Sequence, residues 1–591
     1  MHAFAQRHPI FWAYLYFCYF SAAIQILLYS TGMAGSNGLR DALLMSVIWL
    51  IPVLLLPRYI KPITAVIGSA LWLASLVSLG YWLIYGQEFS QSAIFIIFES
   101  NPAEGSEFIQ SYLRWWHVLV FATYSAIPLI LWCLMPTTLS LAPKWRSSYA
   151  VVFSLMVGWP FLSTLVLQKN VTQANRHLMS RLEPTAPWNL IVSYRRYLEQ
   201  LANMKSLLAN NHKLPLLENF EIDTNTMPET VVLVIGESTN RQRMSLYGYP
   251  RATTPQLDAM RDELTVFNDV VTTRPYTIEA LQQALSFADS KHPEAFFTQP
   301  TLINMMKQAG YDITWITNQQ TQTKRNTMLT TLSQMADHQV YLNNNRKQNG
   351  SLYDGNVVEP FVKTLAQSTS KKFIVVHLLG THRQYHYRYP AAFKKFVDND
   401  HVPSWVGTSN LDEYNSYDNS ILYNDHVVVT LINSLRTHND KALLVYFSDH
   451  GEEVYDYEEK LFCGRNEGAP SPAMYTVPFI TWASPEWKNG SQGTQWGRYA
   501  NQPFSSADFM HTLPHMIGIS FAGLDPTRSL VSDTFIKRER WIGSPSEPQK
   551  LVDYDDFINS QMVFSQKTIA PVKSLTYRKN QPSTVNPKAA F

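Results

Sequence analysis

Five stretches near the start of the chain carry almost no charge and no regular polar alternation: Phe11–Tyr29, Ala42–Leu56, Ile63–Tyr85, His117–Met135 and Tyr149–Leu167. Most approach or exceed the ~20 residues that cross hydrocarbon as a helix, and the second is shorter, with Pro52 inside it. Five such runs in succession predict five membrane spans rather than buried core helices of a large soluble protein. Further hydrophobic spans after the first also argue against a cleaved signal peptide.

After Pro184 the period changes. Leu190, Ile191, Tyr194, Tyr197, Leu198, Leu201, Met204 and Leu208 recur at helical spacing, with Arg195, Arg196, Glu199 and Lys205 on the other face. This predicts an amphipathic helix, lying on the bilayer surface or packed on a soluble domain. From Thr230 the pattern changes again, to short and nearly continuous apolar runs: VVLVIGES (231–238), ITWITN (313–318), FIVVHLLGTH (373–382), ALLVYFSDHG (442–451) and VPFITWAS (477–484). Such runs read as strands covered on both faces, and helical stretches such as Leu281–Phe287 and Asn415–Leu435 fall between them. The expected soluble fold is an α/β sandwich around a largely parallel sheet.

Charge sharpens this division. Only twelve of the chain's charged residues lie in the first 168 positions, although charged residues make up 16% of the 591. The expected organisation is a five-helix transmembrane domain at 1–168, a bridging amphipathic helix and linker at 169–229, a soluble domain at 230–566 and a tail at 567–591. Arg7, Arg58, Lys61, Lys144 and Arg146 fall on one side of the membrane, and the opposite loop, Gln87 to Glu107, is acidic. The positive-inside rule then predicts a cytoplasmic N-terminus and an outward-facing soluble domain. A net charge of +2 gives no support to nucleic-acid binding, and three cysteines, Cys18, Cys133 and Cys463, supply no disulfide framework or all-cysteine metal site.

The strands end in chemistry. In parallel α/β sheets ligands bind beyond the carboxyl ends of the strands. Here the first strand ends in Glu237 and the fourth in Ser448-Asp449-His450-Gly451. One carboxylate and an adjacent Asp-His pair provide three N/O ligands, a set that suits a catalytic zinc with an open position. Singly, a Glu after Gly is a common helix-start carboxylate and Asp-His-Gly a common turn. Thr277, in RPYTIEALQQ, stands where a helix begins after Pro275, and reads both as an N-cap and as a nucleophile near the metal.

Together with the five spans, VVLVIGES, RPYT, HLLGTH, YFSDHGEE, the outer-loop run GQEFSQSAIFIIFESNPAE and YGYPRATTPQLD resemble the bacterial inner-membrane phosphoethanolamine transferases. These belong to the alkaline phosphatase/sulfatase superfamily, and the likeness is to the branch modifying phosphorylated heptose in the lipopolysaccharide core. The resemblance implies a soluble α/β sandwich of alkaline phosphatase/sulfatase type in the periplasm. It implies one Zn2+ held by Glu237, Thr277, Asp449 and His450, with room for a second divalent metal, and Thr277 as nucleophile. It places His377 and His382 against the transferred phosphate, Lys324 or Arg325 near it, and Asn101 and Glu104 at the ethanolamine of the donor lipid. Two departures accompany it. Cys463 is the only soluble cysteine, so the disulfides of the lipid A branch are missing. A phosphate-contacting histidine of that branch falls near Cys463-Gly464-Arg465, where this chain has none.

The implied reaction moves phosphoethanolamine from phosphatidylethanolamine through a threonine-bound intermediate to lipopolysaccharide, releasing diacylglycerol. Lipid A as acceptor, phosphoglycerol transfer of the lipoteichoic acid synthase type, and a non-enzymatic lipid-binding scaffold are the competing readings.

Overall fold

The structure is a computed structural model that describes residues 2–31, 36–85, 89, 94, 113–139, 141–320, 327–343, 353–369, 371–438, 441–488, 492–545 and 548–565. Among these, five helices are long and apolar enough to cross a membrane: α1 (Pro9–Ser30), α2 (Ser36–Leu55), α3 (Ile60–Ile84), α4 (Trp115–Cys133) and α5 (Pro143–Leu167). The second begins six residues before the expected run and takes Arg40 and Asp41 into the helix. Asp41 is buried there, and Arg181 donates two hydrogen bonds to its carboxylate at 3.0 and 3.2 Å. A charge neutralised in this way no longer has to end a helix near the membrane boundary.

Arg181 belongs to α6 (Val171–Leu182), a helix not anticipated from the pattern, which follows α5 after Lys169 in left-handed conformation. The amphipathic helix is α7 (Trp188–Asn210). Its Tyr197, Met204 and Leu207 are buried in the core of the soluble domain, so packing on that domain is what the structure shows. Ile191, Tyr194 and Leu198 remain on its open side, each about two-fifths exposed at 41%, 39% and 42%.

The soluble part is built on a seven-stranded sheet. Its strands are β1 (Thr230–Gly236), β2 (Leu264–Phe267), β3 (Asp312–Gln320), β4 (His338–Asn343), β5 (Lys372–His377), β6 (Ala442–Ser448) and β7 (Phe479–Ala483), in the spatial order β2-β7-β6-β1-β5-β3-β4. The five anticipated strands form the interior of this order, and β2 and β4 are its edges. The central strands are parallel, whereas β7 runs antiparallel to both β6 and β2. Every residue of β1, β5, β6 and β7 is buried, as their uninterrupted apolar sequences require when helices cover both faces. One face packs against α10, the long helix Gly407–His438, numbered after α8 (Thr277–Ala284) and α9 (Thr327–Gln334). The other packs against α8 and, beyond it, the buried face of α7.

Register decides what meets at the top of the sheet. Gly236 is level with Ser448 across the β1–β6 ladder, and Ile235 with His377 across β1–β5. The residues that follow therefore leave three adjacent strands at one height.

Candidate metal and transfer site

Glu237, Asp449 and His450 lie where those strands end, all buried, with ligand atoms within 4.8 Å of one another. The turn that carries Glu237 is held firmly. Ser238 takes a left-handed φ of 60°, and its carbonyl accepts a 2.7 Å hydrogen bond from the Tyr417 hydroxyl, while the Asn240 amide donates to that same hydroxyl at 2.8 Å. Tyr417 is flanked by buried Arg243, whose guanidinium pairs with Asp418 at 2.6 Å and lies 3.6 Å over the Tyr414 ring. A buried ion pair of this kind is weak evidence for net stability, yet it fixes geometry, and here the geometry is that of the turn after β1.

His450 Nδ1 lies 2.9 Å from the Gly451 carbonyl, which accepts its N–H and leaves the Nε2 lone pair facing the cluster. Nε2 stands 3.3 Å from Glu237 Oε1 and 3.4 Å from Asp449 Oδ2. Asp449 Oδ1 accepts the Ser238 and His450 amides at 3.1 and 2.7 Å, but its buried Oδ2 has no hydrogen-bond partner among the described residues. Burial and the neighbouring Glu237 carboxylate push Asp449 up to about 8. Burial works against Glu237 as well, but His450 and Arg465 beside it hold it well below the usual carboxylate range. Two adjacent buried carboxylates with one orphaned oxygen form a site short of positive charge. A divalent ion with N/O preference fits that deficit, and the donor set is of the kind that zinc takes.

Thr277 is the first residue of α8 rather than its cap. Tyr276 occupies the N-cap position, and the Thr277 hydroxyl donates instead to Glu237 Oε2 at 2.9 Å, with His450 Nε2 at 3.4 Å. The hydroxyl thus sits inside the cluster at a helix N-terminus, where backbone amides favour negative charge.

The HLLGTH segment is docked on the same turn. Asp354 accepts the Leu379 and Gly380 amides at 2.9 and 2.7 Å, and Thr381 donates both its amide and its hydroxyl to the Glu237 carbonyl at 3.0 Å. His377 Nε2 and His382 Nδ1 are buried and have no hydrogen-bond partner among the described residues. Burial holds both rings neutral, with His377 pushed down to about 4 and His382 to about 3. The segments containing Lys324, Arg325, Asn101 and Glu104, and the tail at 567–591, lie outside the described residues.

Two contributors were not anticipated. Gln319, at a bulge in β3, donates to Glu237 Oε2 at 3.2 Å and to the Leu378 carbonyl at 2.7 Å. A bulge turns a side chain away from strict alternation, and no sequence pattern marks it. The other is Arg465, whose Nη1 is 2.6 Å from His450 Nε2. No local sequence pattern marks it.

Comparison with known proteins agrees with this geometry. The sulfatase family model matches residues 229–519. Phosphoethanolamine transferase EptC of Escherichia coli K12 is 47% identical over 572 residues, covering 95% of this chain and 99% of the relative. The crystal structure of the C-terminal periplasmic domain of E. coli EptC, in complex with Zn, is 52% identical and covers 58% of this chain and 97% of that one, with a TM-score of 0.57. The integral membrane lipooligosaccharide phosphoethanolamine transferase A of Neisseria meningitidis shares the fold at 18% identity, over 88% of this chain and 98% of that one, with a TM-score of 0.59.

Proposed function

The chain belongs to the phosphoethanolamine transferases, with a sulfatase-family catalytic domain, and from that premise we propose that Thr277 carries phosphoethanolamine from phosphatidylethanolamine to the lipopolysaccharide core. It is a zinc-dependent transferase of the inner membrane with a periplasmic catalytic domain. The observation that carries the assignment of Thr277 is its hydroxyl, hydrogen-bonded to Glu237 Oε2 within the Glu237–Asp449–His450 cluster.

Bound zinc, held by Glu237, Asp449, His450 and Thr277, supplies positive charge that lowers the hydroxyl pKa and polarises a phosphoryl oxygen. Thr277 Oγ gives up its proton along the existing hydrogen bond and forms a bond to phosphorus, while the bond to the glyceride oxygen breaks. The glyceride oxygen takes up the proton that Thr277 released, and diacylglycerol leaves. Phosphoethanolamine remains esterified to Thr277 until an acceptor hydroxyl, on phosphorylated heptose in this reading, attacks phosphorus; Thr277 Oγ leaves and takes up the proton that the acceptor gives up. In this reading His377 and His382 donate N–H groups to phosphoryl oxygens, a role supported by the buried ring nitrogen that each leaves without a partner among the described residues. Lys324 or Arg325 adds charge there, and Asn101 and Glu104 hold the ethanolamine end.

The N-terminus is cytoplasmic in this reading, because the positive loops gather on its side. Donor and acceptor are both membrane lipids, so an anchored site searches a confined layer at high effective concentration. Mass spectrometry of lipopolysaccharide from cells with and without the gene tests the reading. Added ethanolamine phosphate on core heptose supports it. Ethanolamine phosphate on lipid A alone, or transfer of glycerol phosphate, refutes it.

A further inference from the structure

Resting on that reading, we propose that Arg465 is a further cation that grips the phosphoryl group at this site, contacting its non-bridging oxygens on the donor and again on the threonine-bound intermediate.

The guanidinium stands on the same side of the cluster as the nucleophile. Nη1 is 2.6 Å from His450 Nε2 and 3.7 Å from Glu237 Oε1, the two groups that the Thr277 hydroxyl also approaches, at 3.4 Å and, through Oε2, at 2.9 Å. The His450 Nε2 lone pair serves either an N–H donor or a metal. A metal on Nε2 takes the lone pair that Nη1 occupies, so the guanidinium gives up that hydrogen bond and is left with an N–H to offer an anion beside the cluster.

Arg465 is also weakly engaged by acids. Among the described residues its nearest carboxylate oxygens are 3.7 Å away on Glu237 and 4.0 Å away on Glu452. Two buried arginines of the domain differ sharply: Arg243 meets Asp418 at 2.6 Å and Arg251 meets the same residue at 2.9 Å. The side chain of Arg465 retains 21% of its accessible surface. A cation largely withdrawn from water, without a close carboxylate and beside a metal-type cluster, is suited to an anionic substrate. The planar fork of arginine matches two oxygens on one phosphorus.

Its position is fixed from both sides. Cys463 and Gly464 pair antiparallel with Val454 and Glu453, in the loop just after His450. The Cys463 carbonyl accepts from Arg383 at 2.7 Å. Two residues on, Glu467 is paired with Arg274, which lies three residues before Thr277, with one of the hydrogen bonds at 3.0 Å. The arginine and the nucleophile are thereby tied to a common frame.

The test uses the zinc-loaded full chain in detergent with inorganic phosphate as probe. Arg465→Ala is expected to keep stoichiometric zinc and its melting temperature while its Kd for phosphate rises about tenfold or more, the scale of a lost charged hydrogen bond. Arg465→Lys should recover part of that loss, and it carries the test alone if the alanine variant does not fold. Phosphate affinity within twofold of the parent in both variants overturns the proposal, as does loss of zinc from them, which would make Arg465 a support for His450. Phosphate binding that depends on Arg465 in a protein whose Thr277 never becomes phosphorylated would leave this assignment standing and remove the one for Thr277.

Discussion

A Cβ placed on Gly380 would stand 2.7 Å from the carbonyl oxygen of Glu237 and 2.8 Å from its amide nitrogen. The glycine also has a φ of 55°, so conformation and contact both exclude a side chain. Gly380→Ala is therefore expected to push the HLLGTH segment off the Glu237 turn. A loss of about 2 kcal/mol in stability is the scale for a strained left-handed residue with a steric overlap. Thermal unfolding and zinc content measure it, and full retention of both would show that the two segments are not coupled.

Thr277→Ala should give a folded, membrane-inserted protein that does not transfer phosphoethanolamine, because among the described residues the hydroxyl bonds to side chains of the cluster alone. Thr277→Ser keeps the attacking oxygen and should retain measurable transfer. Intact-protein mass spectrometry would read the adduct on the serine variant and its absence from the alanine one. Wild-type transfer by Thr277→Ala would end the covalent mechanism.

Chelation should lower the melting temperature of the parent, since a ligand bound only by the folded state at 100 times its Kd contributes about 2.7 kcal/mol. Asp449→Asn combined with His450→Ala removes two of the three clustered ligands. That variant should melt alike with and without chelator and carry no zinc by elemental analysis.

His511 supplies a pH dependence remote from the metal ligands. It is 5% exposed, its Nδ1 accepts the Asp525 amide at 3.2 Å, and burial, followed by the charge of Arg528, pushes it down to about 4. The folded protein keeps the ring neutral, whereas the unfolded chain binds a proton below about 6.5. Stability from this group is complete above that pH and is lost as pH falls toward 4, by at most about 3 kcal/mol. Denaturant titrations at several pH values should show a shallower decline for His511→Gln than for the parent.

The open side of α7 can be probed without touching the site. Replacing Ile191, Tyr194 and Leu198 together with Asn removes the apolar surface available to a bilayer. Transfer from donor lipid in vesicles should fall several-fold, while hydrolysis of a water-soluble phosphodiester stays unchanged. Equal loss in both assays would mean that the helix supports the fold alone.

Much of this arrangement could be read from apolar periodicity. Strands such as 231–236 and 442–447 are buried on both faces and carry that fact in their composition. The edge strands β2 and β4 do not: their mixed exposure leaves no clear period, and pairing with a neighbour defines them. The helix Val171–Leu182 escaped notice because it is polar overall, with its place set by packing on α5 and by the Arg181–Asp41 pair. Within the site, Glu237, Asp449 and His450 were visible because strand ends announce themselves. Gln319 and Arg465 were not, since a bulge and a loop bring them in, and neither has a signature at short range.

The ties around the site are ionic and hydrogen-bonded: Arg274 to Glu467, Arg243 to Asp418, Asp354 to the Gly380 amide. All three cysteines are thiols, and Cys463 is buried. Nothing in this framework has to be oxidised after export. The catalytic domain can reach its final form in a reducing medium, in cells that lack an oxidative folding system, and under reductants that would unlace a disulfide-bonded counterpart.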